Sequence, residues 1–229
     1  MTLSAILFDK DGTLFDFART WNGWGGIMLT RLSEGDTARL AGMAAALSYD
    51  LEAAMFRPDS IVIAGTNDEV AAALSPYVSQ MDAATLAQYL IRTAAEAELA
   101  QAVPLAPFLE DLRARGLKLG VMTNDGEHSA RRHLDRSGVL GQFDLVIGAD
   151  SGHGAKPDPA PLLAFCTATA VAPSQTAMVG DSLHDLIAGR AAGMRTIGVL
   201  TGMASEADLA PHADVVLPDI GHIPAWLSR

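Results

Sequence analysis

Cysteine is almost absent: Cys166 stands alone in 229 residues. A single thiol closes no internal disulfide, which excludes a disulfide-stapled scaffold and suits a reducing compartment. Long apolar runs are missing too, and none reaches the roughly 18 residues of a membrane-spanning helix. The opening stretch Met1 to Asp9 has no basic flank and only a short apolar run, so it does not read as a signal peptide. A cytoplasmic location is expected. Positive charge is scarce: 16 Lys and Arg face 27 Asp and Glu, a formal net charge of −11. Such a chain repels nucleic-acid phosphates and anionic lipid, so neither is expected as a partner. A small anionic substrate requires a metal or a local set of donors to reverse the field. What is plentiful is apolar material, 49% of residues with a mean hydropathy of +0.21. That excludes disorder as the main state. The length fits one domain with a large insertion, or two unequal domains.

Two compositional zones follow. Residues from about 18 to 100 are rich in Ala, Leu and Met. Ala38 to Leu47 and Thr85 to Ala102 read as helices there, with Asp36 and Asp82 as N-caps. Pro58, Gly65 and Pro76 divide the zone into several short helices. The rest of the chain alternates short apolar runs with helical stretches. The runs are Ile6 to Phe8, Leu117 to Met122, Leu145 to Ile147, Ala177 to Val179, Thr196 to Leu200 and Val215 to Leu217. Helices are expected near 107–115, 127–137, 159–170 and 184–192, with Gly116, Gly138 and Gly193 closing three of them. This alternation predicts an α/β fold, a doubly wound parallel sheet. In such sheets the ligand site lies beyond the carboxyl ends of the strands.

The strand ends carry the chemistry. They are Asp9-Lys10-Asp11-Gly12-Thr13, then Thr123-Asn124-Asp125-Gly126, then Lys156-Pro157 ahead of a helix, then Gly180-Asp181 through Asp185. Each alone is bland: an aspartate-glycine turn, a dipeptide, a loop lysine, an acidic helix start. Together they bring carboxylates, a hydroxyl, an amide and an ammonium to one edge. Two carboxylates about 4 Å apart repel by roughly 4 kcal/mol at an effective dielectric of 20, so several converging ones call for a divalent cation. Oxygen-only ligation suits Mg²⁺. A carboxylate facing a metal-held phosphoryl group is a nucleophile, and a second one two residues on can shuttle the proton. Gly12 lets the backbone turn so that its amide faces the phosphate. If strand geometry persists, Lys10 points away from Asp9 and Asp11.

This pattern resembles the haloacid dehalogenase superfamily, and within it the phosphoglycolate phosphatase-like hydrolases. The resemblance covers nearly the whole chain. It implies Asp9 as nucleophile and Asp11 as general acid and base, with Thr123 and Lys156 holding the phosphate. It implies Mg²⁺ ligation by Asp9, the Asp11 backbone carbonyl and Asp181, with Asp185 nearby or acting through water. It implies a Rossmann-like core of residues 1–15 and 101–229 and a helical cap of residues 16–100. Gly12, Asn124 and Asp125 are candidate substrate contacts from the core, Trp21 and Arg57 from the cap. Against these stand packing for the Trp21/Trp24 pair, three apart on one helical face, and simple exposure for Arg57. Lys10 departs from the apolar residue usual at its position, and reads as neutral for catalysis and able to form a buried ion pair. His184 reads as facing away, since Mg²⁺ prefers oxygen, and Cys166 as a buried helix residue.

The expected activity is hydrolysis of a small phosphorylated metabolite, phosphoglycolate being the family-level guess, by a monomer or homodimer. Asp11 and the Asp181/Asp185 pair argue against a dehalogenase. The scattered arginines Arg19, Arg31, Arg39, Arg57 and Arg92 argue against a sugar-phosphate mutase. Competent residues at every catalytic position argue against a non-catalytic binding protein.

Overall fold

A computed structural model describes residues 3–63 and 65–228. Met1 and Thr2, where the signal-peptide reading begins, lie outside the described residues, as do Ala64 and Arg229. The chain opens with β1 (Ala5–Phe8), α1 (Phe17–Ser33), α2 (Thr37–Ala46), β2 (Tyr49–Asp50) and β3 (Met55–Phe56). It continues through α3 (Asn67–Leu74), α4 (Ala83–Ala94), α5 (Leu105–Ala114), β4 (Lys118–Met122), α6 (Glu127–Arg136) and β5 (Leu145–Ile147). It closes with α7 (Ala160–Thr169), β6 (Thr176–Gly180), α8 (Leu183–Ala191), β7 (Arg195–Val199), α9 (Glu206–Leu209), β8 (Val215–Leu217) and α10 (Ile223–Leu227). Among the described residues no helix is long and apolar enough to cross a membrane.

Six strands form a parallel sheet in the order β5-β4-β1-β6-β7-β8. Side-chain alternation splits its apolar residues between two faces. Ile6, Phe8, Leu119, Val121, Ala177 and Val179 pack on one side with Leu109 and Leu134 from α5 and α6. Ala5, Leu7, Met122 and Met178 pack on the other with Phe165 and Ala188 from α7 and α8. The strands are therefore buried on both faces, as the near-continuous apolar runs require. The chain order reverses between β1 and β6, which is where a doubly wound sheet opens its crevice. Phe8 pairs with Val121 on one side and Val179 on the other, so the chain leaves β1, β4 and β6 side by side.

Residues 17–97 build a separate apolar cluster around Phe17, Leu29, Met43, Phe56, Leu74 and Leu90. Its helices start where the sequence places caps: Asp36 accepts from the Ala38 and Arg39 amides, and Asp82 from the Thr85 amide. Gly116, Gly138 and Gly193 adopt φ of 83°, 71° and 77° just past α5, α6 and α8, the left-handed conformation that suits glycine there.

One expectation needs correction. The helix read as Thr85 to Ala102 ends at Ala94. His133 Nε2 bonds the Ala94 carbonyl at 2.8 Å, and Arg136 Nη1 donates to the Ala95 and Ala97 carbonyls at 3.1 Å each. Side chains of α6 satisfy the carbonyls that end the helix. A short antiparallel hairpin of β2 and β3 sits among the helices of residues 17–97.

Candidate active site

Asp9 follows β1 directly, and its N–H donates to the Val179 carbonyl of β6 at 2.8 Å. Asp181 follows β6, and Asp185 sits in the first turn of α8. The carboxylates of Asp9, Asp181 and Asp185 are buried and lie within 4.8 Å of one another. Lys156 Nζ donates to Asp9 Oδ1 and to Asp185 Oδ1, each at 2.6 Å. Thr13 Oγ1 donates to Asp181 Oδ1 at 2.9 Å. Ser182, the N-cap of α8, holds Asp185 Oδ2 through its amide at 3.0 Å and its hydroxyl at 2.6 Å.

One ammonium does not balance three buried carboxylates. Burial pushes the Asp9 carboxyl up to about 7 against the pull of Lys156, with Asp185 and Asp11 adding to the rise. Burial, then the charges of Asp9 and Asp185, hold Asp181 well above the usual carboxylate range. Burial opposes the Lys156 charge, but Asp185 and Asp9 outweigh it and keep the ammonium above its ordinary range. Three converging carboxylates short of positive charge, with no nitrogen or sulfur among them, fit a hard divalent cation such as Mg²⁺. Gly12 forms part of this cradle. Its φ is +83°, and a Cβ there would lie 2.2 Å from Asp181 Oδ2.

Beside the cluster lies a second buried charge network. Lys10 is fully buried, its Nζ 2.6 Å from Asp11 Oδ2, 3.2 Å from Asp125 Oδ2 and 3.1 Å from His133 Nδ1. Trp21 Nε1, on α1, donates to Asp11 Oδ1 at 2.8 Å. Asn67 Nδ2, at the start of α3, donates to Asp125 Oδ1 at 2.8 Å. Burial opposes the Lys10 charge, and Asp11 and Asp125 more than offset it, leaving its pKa raised. Burial and the Lys10 charge lower the His133 imidazole to about 4. His133 is therefore neutral near pH 7, with Nδ1 accepting from Lys10 and Nε2 donating to Ala94.

Several single-residue expectations change here. Lys10 does not point away, because β1 ends at Phe8 and the alternation stops before it, while the buried ion pair open to it is made with Asp11. The Asp11 carboxylate is held by Lys10 and Trp21, outside the group formed by Asp9, Asp181 and Asp185. The Gly12 amide donates to the Phe15 carbonyl at 2.6 Å, so it does not face a phosphate. Asn124 and Asp125 line the cavity, yet both are committed within the protein. Asn124 Oδ1 accepts from the Lys156 amide and its Nδ2 donates to the Lys156 carbonyl, both at 2.9 Å, which fixes the lysine backbone. Arg57 lies off the cavity, on the exposed hairpin, with Nη2 3.0 Å from Asp50 Oδ2. Trp21, Trp24, Thr123 and Lys156 do line the cavity, and so does His184, contrary to its reading. Cys166 is buried in α7 as expected.

A family model described as haloacid dehalogenase-like hydrolase matches residues 3–193. The chain belongs to that family. It is 29% identical to a phosphoglycolate phosphatase of Xanthomonas campestris over 97% of this chain and 96% of that one. It is 40% identical to a phosphoglycolate phosphatase of Psychrobacter arcticus over 41% of each, so the chain spans less than half of that relative's length in the match. The crystal structure of CbbY from Rhodobacter sphaeroides in complex with phosphate superposes with a TM-score of 0.74 over the whole of both chains at 21% identity, a likeness of fold. In this haloacid dehalogenase-like hydrolase, Thr13, Asn67 and His133 hold site side chains to which no sequence spacing ties them. Thr13 stands inside the first motif, where a hydroxyl beside acidic residues was a usable signal. Asn67 and His133 reach their partners across 58 and 123 residues of chain, and no local pattern marks them.

Proposed function

We propose that the protein is a Mg²⁺-dependent phosphomonoesterase that acts on a small phosphorylated metabolite through a phosphoaspartate on Asp9. One observation carries this reading: Asp9, Asp181 and Asp185 converge with Lys156 at the switch point of the sheet. Asp9, Asp181, the Asp11 carbonyl and, directly or through water, Asp185 would hold Mg²⁺, which supplies charge neutralisation at the phosphoryl oxygens. Lys156 and Thr123, both buried on the cavity floor, bind and orient the phosphate. An Asp9 carboxylate oxygen attacks phosphorus, and the bond to the ester oxygen breaks. Asp11 gives its proton to the departing alcohol. Asp11 then takes a proton from water, the water oxygen attacks phosphorus, and phosphate leaves with Asp9 restored. Trp21 and Lys10 orient the Asp11 carboxyl for both transfers.

Residues 16–100 serve as a cap over a core of residues 1–15 and 101–229, excluding water from the reacting phosphate. Their separate apolar cluster supports this, as do the contacts of Trp21, Asn67 and Ala94 with the core. Phosphoglycolate names several relatives and is the first ester to assay. Phosphate release from a panel of small esters, with Mg²⁺ and with chelator, tests the reading in the wild type and in Asp9→Asn. Chelator-sensitive release that Asp9→Asn abolishes is expected. Near-wild-type release by Asp9→Asn, or release indifferent to chelator, refutes it.

A further inference from the structure

The cavity above Asp9 is about 70 Å³. The insertion lines it with apolar side chains, Phe17, Trp21, Trp24 and Val62 among them, and with the polar Thr66 and Asn67. Among the described residues no arginine lines this cavity. The insertion carries five, Arg19, Arg31, Arg39, Arg57 and Arg92, and no lysine. Arg39 pairs with Glu34 and Arg57 with Asp50. Arg92 lies over the Tyr89 ring. Arg19 and Arg31 line a different cleft.

Core cations do not fill the gap. Lys156 is held between Asp9 and Asp185, where the phosphate binds, and Lys10 is enclosed by Asp11, Asp125 and His133. His184 is the other basic side chain on the wall. Asp11 and Asp125 also line the cavity and repel a second negative charge. A buried carboxylate without a counter-charge is strongly disfavoured. A neutral group meets no such penalty.

We propose that this site selects phosphomonoesters with an uncharged leaving group, and discriminates against esters bearing a carboxylate or a second phosphate. The proposal rests on the phosphomonoesterase reading and narrows its substrate class. It sets the chain apart from what the names of its phosphoglycolate phosphatase relatives suggest.

The matched test compares phosphoglycolate with its carboxamide, the phosphate ester of glycolamide, which has the same heavy-atom shape without the charge. Propyl and phenyl phosphate extend the neutral set, and phosphoserine and a sugar bisphosphate extend the charged set. The neutral esters should exceed the charged ones by at least about tenfold in kcat/KM, the effect of roughly 1.4 kcal/mol. Val62→Arg, which puts a cation on the wall, should raise kcat/KM for phosphoglycolate against its amide by a similar factor. Equal or better turnover of phosphoglycolate by the wild type overturns the selectivity while leaving the phosphatase intact. A phosphoglycolate preference that His184→Gln removes overturns it too, and assigns the counter-charge to His184. Absence of release from every ester, phenyl phosphate included, refutes the phosphatase reading itself and the selectivity with it.

Discussion

Lys10→Met tests the buried network most severely. Lys10 Nζ lies 2.6 Å from Asp11 Oδ2 and 3.2 Å from Asp125 Oδ2. At an effective dielectric of 20 those separations correspond to attractions of about 6 and 5 kcal/mol. Desolvating the ammonium takes back several kcal/mol of that. What the variant leaves behind is two carboxylates that are mostly shielded, with side chains 16% and 11% exposed, and a buried His133 Nδ1, without their donor. Removing one partner of such a network costs about 3–5 kcal/mol. For a chain of this size that corresponds to a fall in Tm of roughly 6–20 °C. Methionine keeps the volume and flexibility of the lysine stem, so the loss reports charge rather than packing. Urea unfolding followed by circular dichroism supplies the number, and adding Asp125→Asn to Lys10→Met should recover at least about 1 kcal/mol. NMR titration should find the His133 pKa raised in Lys10→Met, since the Lys10 charge helps to lower it. A loss below about 1 kcal/mol, or no recovery in the double variant, refutes the argument that the network is a buried structural charge cluster.

Gly12→Ala should lose at least about 2 kcal/mol, from a left-handed φ and from a methyl driven into Asp181. Calorimetric titration should find its Mg²⁺ affinity weakened as well; wild-type stability with wild-type affinity would remove Gly12 from the cradle. The pH dependence of folding has two opposed parts. His133 has a folded pKa of about 4, below the ordinary histidine value of about 6.5, so its contribution is present above about pH 6.5 and lost as pH falls toward 4, about 3 kcal/mol in all. Asp9, raised to about 7, works the other way in metal-free protein, its contribution present below about pH 4 and lost as pH rises through 7. Urea midpoints of wild type and His133→Gln across this window isolate the histidine, because the Asp9 contribution cancels in the difference. A difference that does not change with pH would contradict the assignment.

Much of the core was legible because each cause is local. Ile6 to Phe8 and Ala177 to Val179 are too short and too apolar for anything but strands buried on both faces. The residues just beyond them, Asp9 and Asp181, meet because strand ends converge at a switch point. Asp36 and Asp82 cap helices through amides two or three residues away. What was not legible depends on distant partners. The end of α4 is set by His133 and Arg136, about forty residues on. Strands of two residues, such as Tyr49–Asp50, are too short to carry a period. The commitments of Gly12, Asn124 and Lys10 follow from which neighbours the fold supplies, and spacing along the chain does not encode these.

The central claim is that Asp9 carries the phosphoryl group. Rapid acid quenching of the protein during turnover of a radiolabelled neutral phosphomonoester with Mg²⁺, followed by peptide mapping, tests it most directly. The account predicts a hydroxylamine-sensitive label on the peptide containing Asp9, absent from Asp9→Asn. Turnover with no label on the protein, or with label on another residue, would contradict it.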